Sequence, residues 1–122
     1  MFHKVLLALD PHREPLEPAL ALVTFCGAEL TVLAVAPTDA EVPTTESWLG
    51  EVAAAIAEKG IKATPLVRVG QPAFVICDVA DELNADLIIM GCRGTGLTEE
   101  GMAESVSIRV INLAPCPVLV IP

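Results

Sequence analysis

The stretch ADLIIMG, residues 85–91, has no polar side chain from Leu87 to Met90. A strand with no polar face has to be covered on both sides. Parallel sheets between two helix layers meet that need, and their strands read as continuous apolar runs. Residues 85–91 are therefore expected to form a central strand.

Four other runs read as strands: HKVLLAL (3–9), AELTVLAVAP (28–37), IKATPLVRVG (61–70) and CPVLVIP (116–122). In the third, Ile61, Ala63, Pro65, Val67 and Val69 share one parity, and Lys62 and Arg68 the other. A proline inside a strand has no N–H for a neighbour, which assigns this run to a sheet edge.

Helical segments separate the strands. LEPALALVTFC is nearly all apolar and stops at Gly27. From about Glu46 to Lys59, Leu49, Val52, Ala53, Ile56 and Ala57 recur at helical spacing, with Gly60 as C-cap. QPAFVICDVADELN starts on Gln71-Pro72, and a last helix runs from roughly Ala103 to Leu113. Residues 38–45 read as the one obvious loop. The order βαβαβαβαβ, with connections long enough for right-handed crossovers, implies one α/β domain over residues 1–122: a doubly wound parallel sheet with helices on both faces.

Composition narrows the function. Hydrophobic residues make up 53% of the chain, but aromatics are three Phe, one Trp and no Tyr, so the core is aliphatic and platforms for stacking bases are absent. Seven basic residues against sixteen acidic give a net charge of -9, which argues against nucleic acid or an anionic membrane as partner. No apolar run approaches the roughly 18 residues of a membrane span. The amino end, with an apolar run only from Val5 to Leu9, reads as a first strand and not as a signal peptide. Cys26, Cys77, Cys92 and Cys116 show no CxxC spacing and are expected as reduced thiols in a cytoplasmic protein. Cys26 and Cys77 are expected to be small buried groups on helices. Cys92 and Cys116, near one end of adjacent strands, are ordinary thiols by default, with a redox-sensitive pair as the alternative.

Chemistry is expected outside the carboxyl ends of the strands, near the switch in strand order. Asp10, the segment from Ala36 to Thr45, and Gly91 to Ser107 fall there. In GCRGTGLTEEGMAESVSI, residues 91–108, Gly91, Gly94 and Gly96 permit close backbone approach before a helix start that favours an anion. Ser105 and Ser107 offer hydroxyls, and Arg93, His12 and Arg13 offer positive charge. Blander roles stand beside these. Asp10 can cap the turn into Pro11, the serines can satisfy local N–H groups, and Arg93 can pair with Glu99, Glu100 or Glu104. No GxSxG, no HExxH and no Walker lysine occurs, no histidine is placed to activate Ser105, and neither His3 nor His12 has a partner at metal-ligand spacing. A non-catalytic protein is expected.

KVLLALD, ADLIIMGCRGTG, ESVSIRVI and APCPVLVI, in this order, resemble the universal stress protein (UspA-like) family over the whole chain. The resemblance implies the adenine nucleotide alpha hydrolase-like sheet of five parallel strands in the order 3-2-1-4-5. It also implies dimerisation through the last strand and, in ATP-binding members, a motif of G-x-x-G, nine residues, then G-[S/T]. Carried over, Asp10 meets the adenosine part and Val35 lines the adenine pocket. Gly91 and Gly94 are the first two glycines, with Arg93 between them. Thr95 to Ala103 are the nine intervening residues, and Ser105, Val106 and Ser107 complete the motif.

The glycine expected before that serine is Glu104. It adds a side chain where backbone should meet phosphate. It also adds a like charge, and two such charges about 4 Å apart repel by roughly 4 kcal/mol at an effective dielectric of 20. Glu99 and Glu100 add a weaker, screened penalty. No cofactor is therefore expected, with ATP or AMP as the alternative, accompanied by Mg²⁺ if ATP. The uncharged run PVLVIP, residues 117–122, leaves a strand edge unguarded. The expected partner is a second copy, with another UspA-like chain as the alternative. By the same resemblance, the loop at 38–45 is shorter than in many relatives.

Overall fold

A computed structural model of the chain describes residues 2–10, 16–91 and 106–121. Its elements are β1 (Lys4–Ala8), α1 (Leu16–Cys26), β2 (Glu29–Ala36), α2 (Val42–Glu58), β3 (Ala63–Val69), α3 (Pro72–Leu83), β4 (Leu87–Gly91), α4 (helical over 106–113) and β5 (Val118–Ile121). The strands form one sheet in the order β3-β2-β1-β4-β5, every pair parallel, as expected. β1 lies at the centre, with Val5 opposite both Leu30 and Leu87.

Strand alternation divides the core in two. Val5, Leu7, Val32 and Ile89 face α1 and α2, which contribute Leu20, Val23, Leu49 and Ile56. Leu6, Leu33, Ile88 and Met90 face α3 and α4, which contribute Ile76, Val79 and Val110. β4 is buried on both faces, as its composition requires.

Three helices end alike. Gly27, Gly60 and Asn84 take positive φ of 64°, 83° and 54°. In each case the next N–H reaches back five residues: Ala28 to the Val23 carbonyl at 3.2 Å, Ile61 to Ile56 at 3.4 Å, Ala85 to Ala80 at 2.9 Å. This Schellman closure satisfies helix-end carbonyls and turns the chain into the next strand. The glycines adopt it without a Cβ penalty, and Asn is the other residue that tolerates it.

The structure corrects two expectations. α2 begins at Val42, and a 3₁₀ turn at Asp39–Glu41 precedes it, so most of the expected loop at 38–45 is helical. Pro43 sits in the first turn, where its missing N–H has no helical partner to lose. The Thr45 hydroxyl donates to the Glu41 carbonyl at 2.8 Å. The polar parity of β3 is also less polar than expected, because Leu66, between Thr64 and Arg68, packs with the core under α3.

At the amino end of the sheet, the Asp86 carboxylate accepts from the N–H groups of His3 at 2.8 Å and Lys4 at 3.1 Å. Partial burial would raise its pKa, but these two N–H groups and the nearby His3 hold the carboxyl below its usual value. Cys77 is buried on α3, and burial, then Asp78, pushes its thiol up. Cys26, expected to be buried, is only half-buried, because it ends α1 where the helix leaves the core. Cys116 precedes β5 and is raised by burial, then by Asp86 and Cys77. Cys92, its counterpart in the redox pair weighed as the alternative, lies outside the described residues; Gly91, the residue before it, pairs with Ile121 at the opposite end of β5 from Cys116, against the expectation that the two cysteines share one end of adjacent strands. Among the described residues, no helix is long and apolar enough to cross a membrane.

Candidate functional site

The strand order reverses between β1 and β4, so their carboxyl ends and that of β2 mark the crevice that open α/β sheets use for ligands. Three of the expected site residues meet there. Ala8 pairs with Leu33 on one side and Met90 on the other. The Leu9 N–H continues the ladder to the Leu33 carbonyl at 2.8 Å. One residue further along each strand lies Gly91, the last residue of β4, and one beyond that in β1 and β2 come Asp10 and Val35. With strands about 4.8 Å apart, the three occupy neighbouring positions at one end of the sheet.

Their surroundings differ. Asp10 is exposed. Val35 is half-buried against the core under α3 and α4. Gly91, half-buried, pairs with Ile121 of β5. Val106 and Ser107 open the described part of α4, Val106 packed into the same core as Val35 and Ser107 only 5% exposed. Asp10 and Ser107 both take part in interactions within the protein. Arg93, Gly94 and Ser105 lie outside the described residues, as do Gly96, Glu99, Glu100, Glu104, His12 and Arg13.

One contributor escaped the sequence reading except as the end of a strand. Gly70 follows β3 with φ of 146°, and its N–H reaches the Ala36 carbonyl at 3.4 Å. A Cβ there would stand 2.9 Å from Val75 Cγ2. Position 70 must therefore be glycine for α3 to start against β2. The signal was available in GQP, a glycine placed just before the proline of a helix start. Beside it, only Pro37 and Thr38 separate β2 from the 3₁₀ turn, so the β2 side of the crevice carries a short rim.

The crevice offers a carboxylate at Asp10 and, at Gly91, a position with no side chain to block approach. His3 precedes β1 at the opposite end of the sheet, where its carbonyl accepts from the Glu29 N–H at 2.8 Å. No group of three or more His, Cys, Asp or Glu able to hold a metal occurs among the described residues. A surface cleft of about 660 Å³ lies at that same amino end, between Thr24 and Gly27 on one side and Gly60 and Lys62 on the other. No expected site residue lines it.

The model of the universal stress protein family matches residues 1–122. Universal stress protein Sll1654 of Synechocystis sp. is 45% identical over 136 residues, which cover 100% of this chain and 87% of that protein. Universal stress protein YxiE of Bacillus subtilis is 31% identical over 148 residues, 99% of each chain. Among solved structures, the universal stress protein from Archaeoglobus fulgidus in complex with dAMP is similar with a TM-score of 0.78, at 22% identity and 98% coverage of both chains. That last likeness speaks to the fold.

Proposed function

Because the chain belongs to the universal stress protein family, we propose that it is a non-catalytic, dimeric, cytoplasmic member that acts through protein partners, with a weakened or lost phosphate site. The observation that carries this reading is Glu104, which stands where the family motif has glycine. Its carboxylate opposes a polyphosphate by charge, and its side chain obstructs the backbone approach that glycine allows.

A second reading has a specific observation behind it. Asp10, Val35 and Gly91 stand in neighbouring positions at the switch point, and the sequence keeps Gly94, Ser105, Val106 and Ser107 at motif spacing. These residues would hold an adenine nucleotide, ATP or AMP, with Asp10 toward the nucleoside and the glycine segment toward phosphate. Bound ATP would supply a phosphoanhydride, and the chain's own residues would bind and orient it, with hydrolysis slow or absent. The Archaeoglobus protein, which shares this fold, is in complex with dAMP, and that lends support to this reading.

Calorimetric titration with ATP and with AMP, each with and without Mg²⁺, separates the two. Under the first reading, ATP binds more weakly than about 1 mM. Glu104→Gly then gains at least about 10-fold in ATP affinity. Sub-millimolar ATP binding by the unmodified chain would establish the second reading in its place.

The dimer belongs to the same proposal. β5 is an edge strand without a charge or an internal proline. Beside it, α4 exposes Ile108 and Ile111, 58% and 55% accessible. Antiparallel pairing of two β5 strands about a twofold axis would close this edge.

A further inference from the structure

The amino end of the sheet carries a cleft in which the switch-point crevice has no part. α1 stops at Cys26 and α2 at Glu58, and the turns through Gly27 and Gly60 lead into the neighbouring strands β2 and β3. Leu30 pairs with Ala63, so Glu29 and Lys62 fall opposite one another one step earlier. The cleft of about 660 Å³ lies between these two turns. Small-molecule sites occupy roughly 300–1,000 Å³. A Cβ at Gly27 or Gly60 would meet nothing within 4 Å, so both glycines border open space.

The lining joins an aliphatic floor to separate charges. Val23 and Ile61 supply the floor, and no aromatic ring lines it; Phe25, beside Thr24 on α1, stays 84% exposed outside it. Thr24 brings a hydroxyl, Glu29 a carboxylate and Lys62 an ammonium. None of these three side chains has a hydrogen bond or ion pair among the described residues. Lys59 differs, because Glu17 holds it at 3.1 Å. Glu29 and Lys62 thus stand at neighbouring positions with opposite charges and without an ion pair between them.

Electrostatics select the ligand. Two helices end at the cleft, each bringing the negative end of its dipole and carbonyls without a helical partner. Together with Glu29 they attract an ammonium group and oppose a phosphate, so an adenine nucleotide does not belong here. Among the described residues that line the cleft, only Lys62 is cationic, and it suits a carboxylate.

We propose that this cleft binds a small zwitterion, an α-amino acid with an aliphatic side chain. Its ammonium lies toward Glu29 and the helix ends, its carboxylate on Lys62 and its side chain on Val23 and Ile61. Such a ligand bridges the turns that start β2 and β3, at the other end of the sheet from Asp10 and Gly91. The inference is independent of the phosphate question that Glu104 raises, and binding at either end can fail without the other.

Amide NMR shifts of the full chain, titrated with L-leucine, test it. Leucinamide, which lacks the carboxylate, and 4-methylpentanoate, which lacks the ammonium, are titrated alongside. The expected result is saturable movement of the Gly27 and Gly60 amides, with a dissociation constant on the order of 1 mM. Either analogue, Lys62→Gln and Glu29→Gln should each weaken binding at least about 10-fold. Thr24→Trp, at an exposed position on α1, should fill the cleft and abolish the shifts. Circular dichroism establishes that each variant folds. No saturation by about 50 mM leucine, or shifts confined to the other end of the sheet, would overturn the inference. An analogue that binds as tightly as leucine would mark a site for a simple cation or anion and overturn it too, as would a Thr24→Trp chain that still binds.

Discussion

The two edges of the sheet have been treated in opposite ways. β3 is guarded: Pro65 withholds an N–H, and Arg68 reaches across to Glu82 of α3 at 3.1 and 3.4 Å, placing charge beside the strand. β5 has four apolar residues and nothing comparable. Proline and charge are the usual means of keeping an edge from pairing with another chain. An aliphatic sheet that used them on both sides would stay monomeric. Using them on one side leaves a single direction for growth, and a twofold axis there stops growth at two.

Two variants break or sharpen this contrast, and two more test the folded chain itself. Leu119→Lys puts a charge on the open edge and is expected to raise the dimer dissociation constant about 100-fold, close to 2.8 kcal/mol. Sedimentation reads that change, while the fluorescence of Trp48, half-buried on α2, checks that the fold persists. Joint replacement Pro65→Thr and Arg68→Thr removes the guards of β3. Such a chain should form species larger than dimers as concentration rises, visible by light scattering, and a clean dimer would show that β3 needed no guard.

The two smaller effects concern the folded chain itself. Asp86 clamps the central strands and owes nothing to either edge. Its folded pKa is lowered, so its stabilisation is present above the unfolded carboxylate pKa, near 3.9, and is lost as pH falls through the folded value. Asp86→Asn should therefore destabilise at neutral pH and flatten the acid limb of a stability profile, in denaturant titrations from pH 7 to 2. Arg68→Ala breaks an exposed ion pair and is expected to cost only about 0.2–1 kcal/mol. A larger loss in thermal unfolding would mean that Arg68 supports the fold and does more than guard the edge.

Much of this contrast was legible before any coordinates. Pro65 assigned its strand to an edge, and the uniform apolarity of Leu87 to Met90 assigned that strand to the interior. Where the reading missed, local chemistry had two meanings. Pro43, Thr44 and Thr45 suit a turn, but they suit a helix's first turn equally, and the structure uses them so. The exposed flank of α1 was illegible for a different reason. A helix that is apolar all round has no phase to read, so its neighbours decide which residues stay in water, and strand order placed those neighbours. Of the expected site, the family resemblance named Gly91, Ser107 and the departure at Glu104. It could not reveal that Asp10, Val35 and Gly91 fall in step, because register is set by pairing between strands distant in the chain.

The central place of β1 has a kinetic consequence. Its pairing with β2 crosses a single helix, whereas its pairing with β4 spans most of the domain; Asp86 clasps His3 across 83 positions. Contacts so far apart in the chain are slow to form, because the loop must close before anything rewards it. As the chain is synthesised from its amino end, β1, β2 and β3 with α1 and α2 can assemble first, and one side of β1 then stands unpaired until β4 is made. For that interval the chain exposes an interior edge richer in leucine than the one it finally keeps, which is when a chaperone would matter most to it.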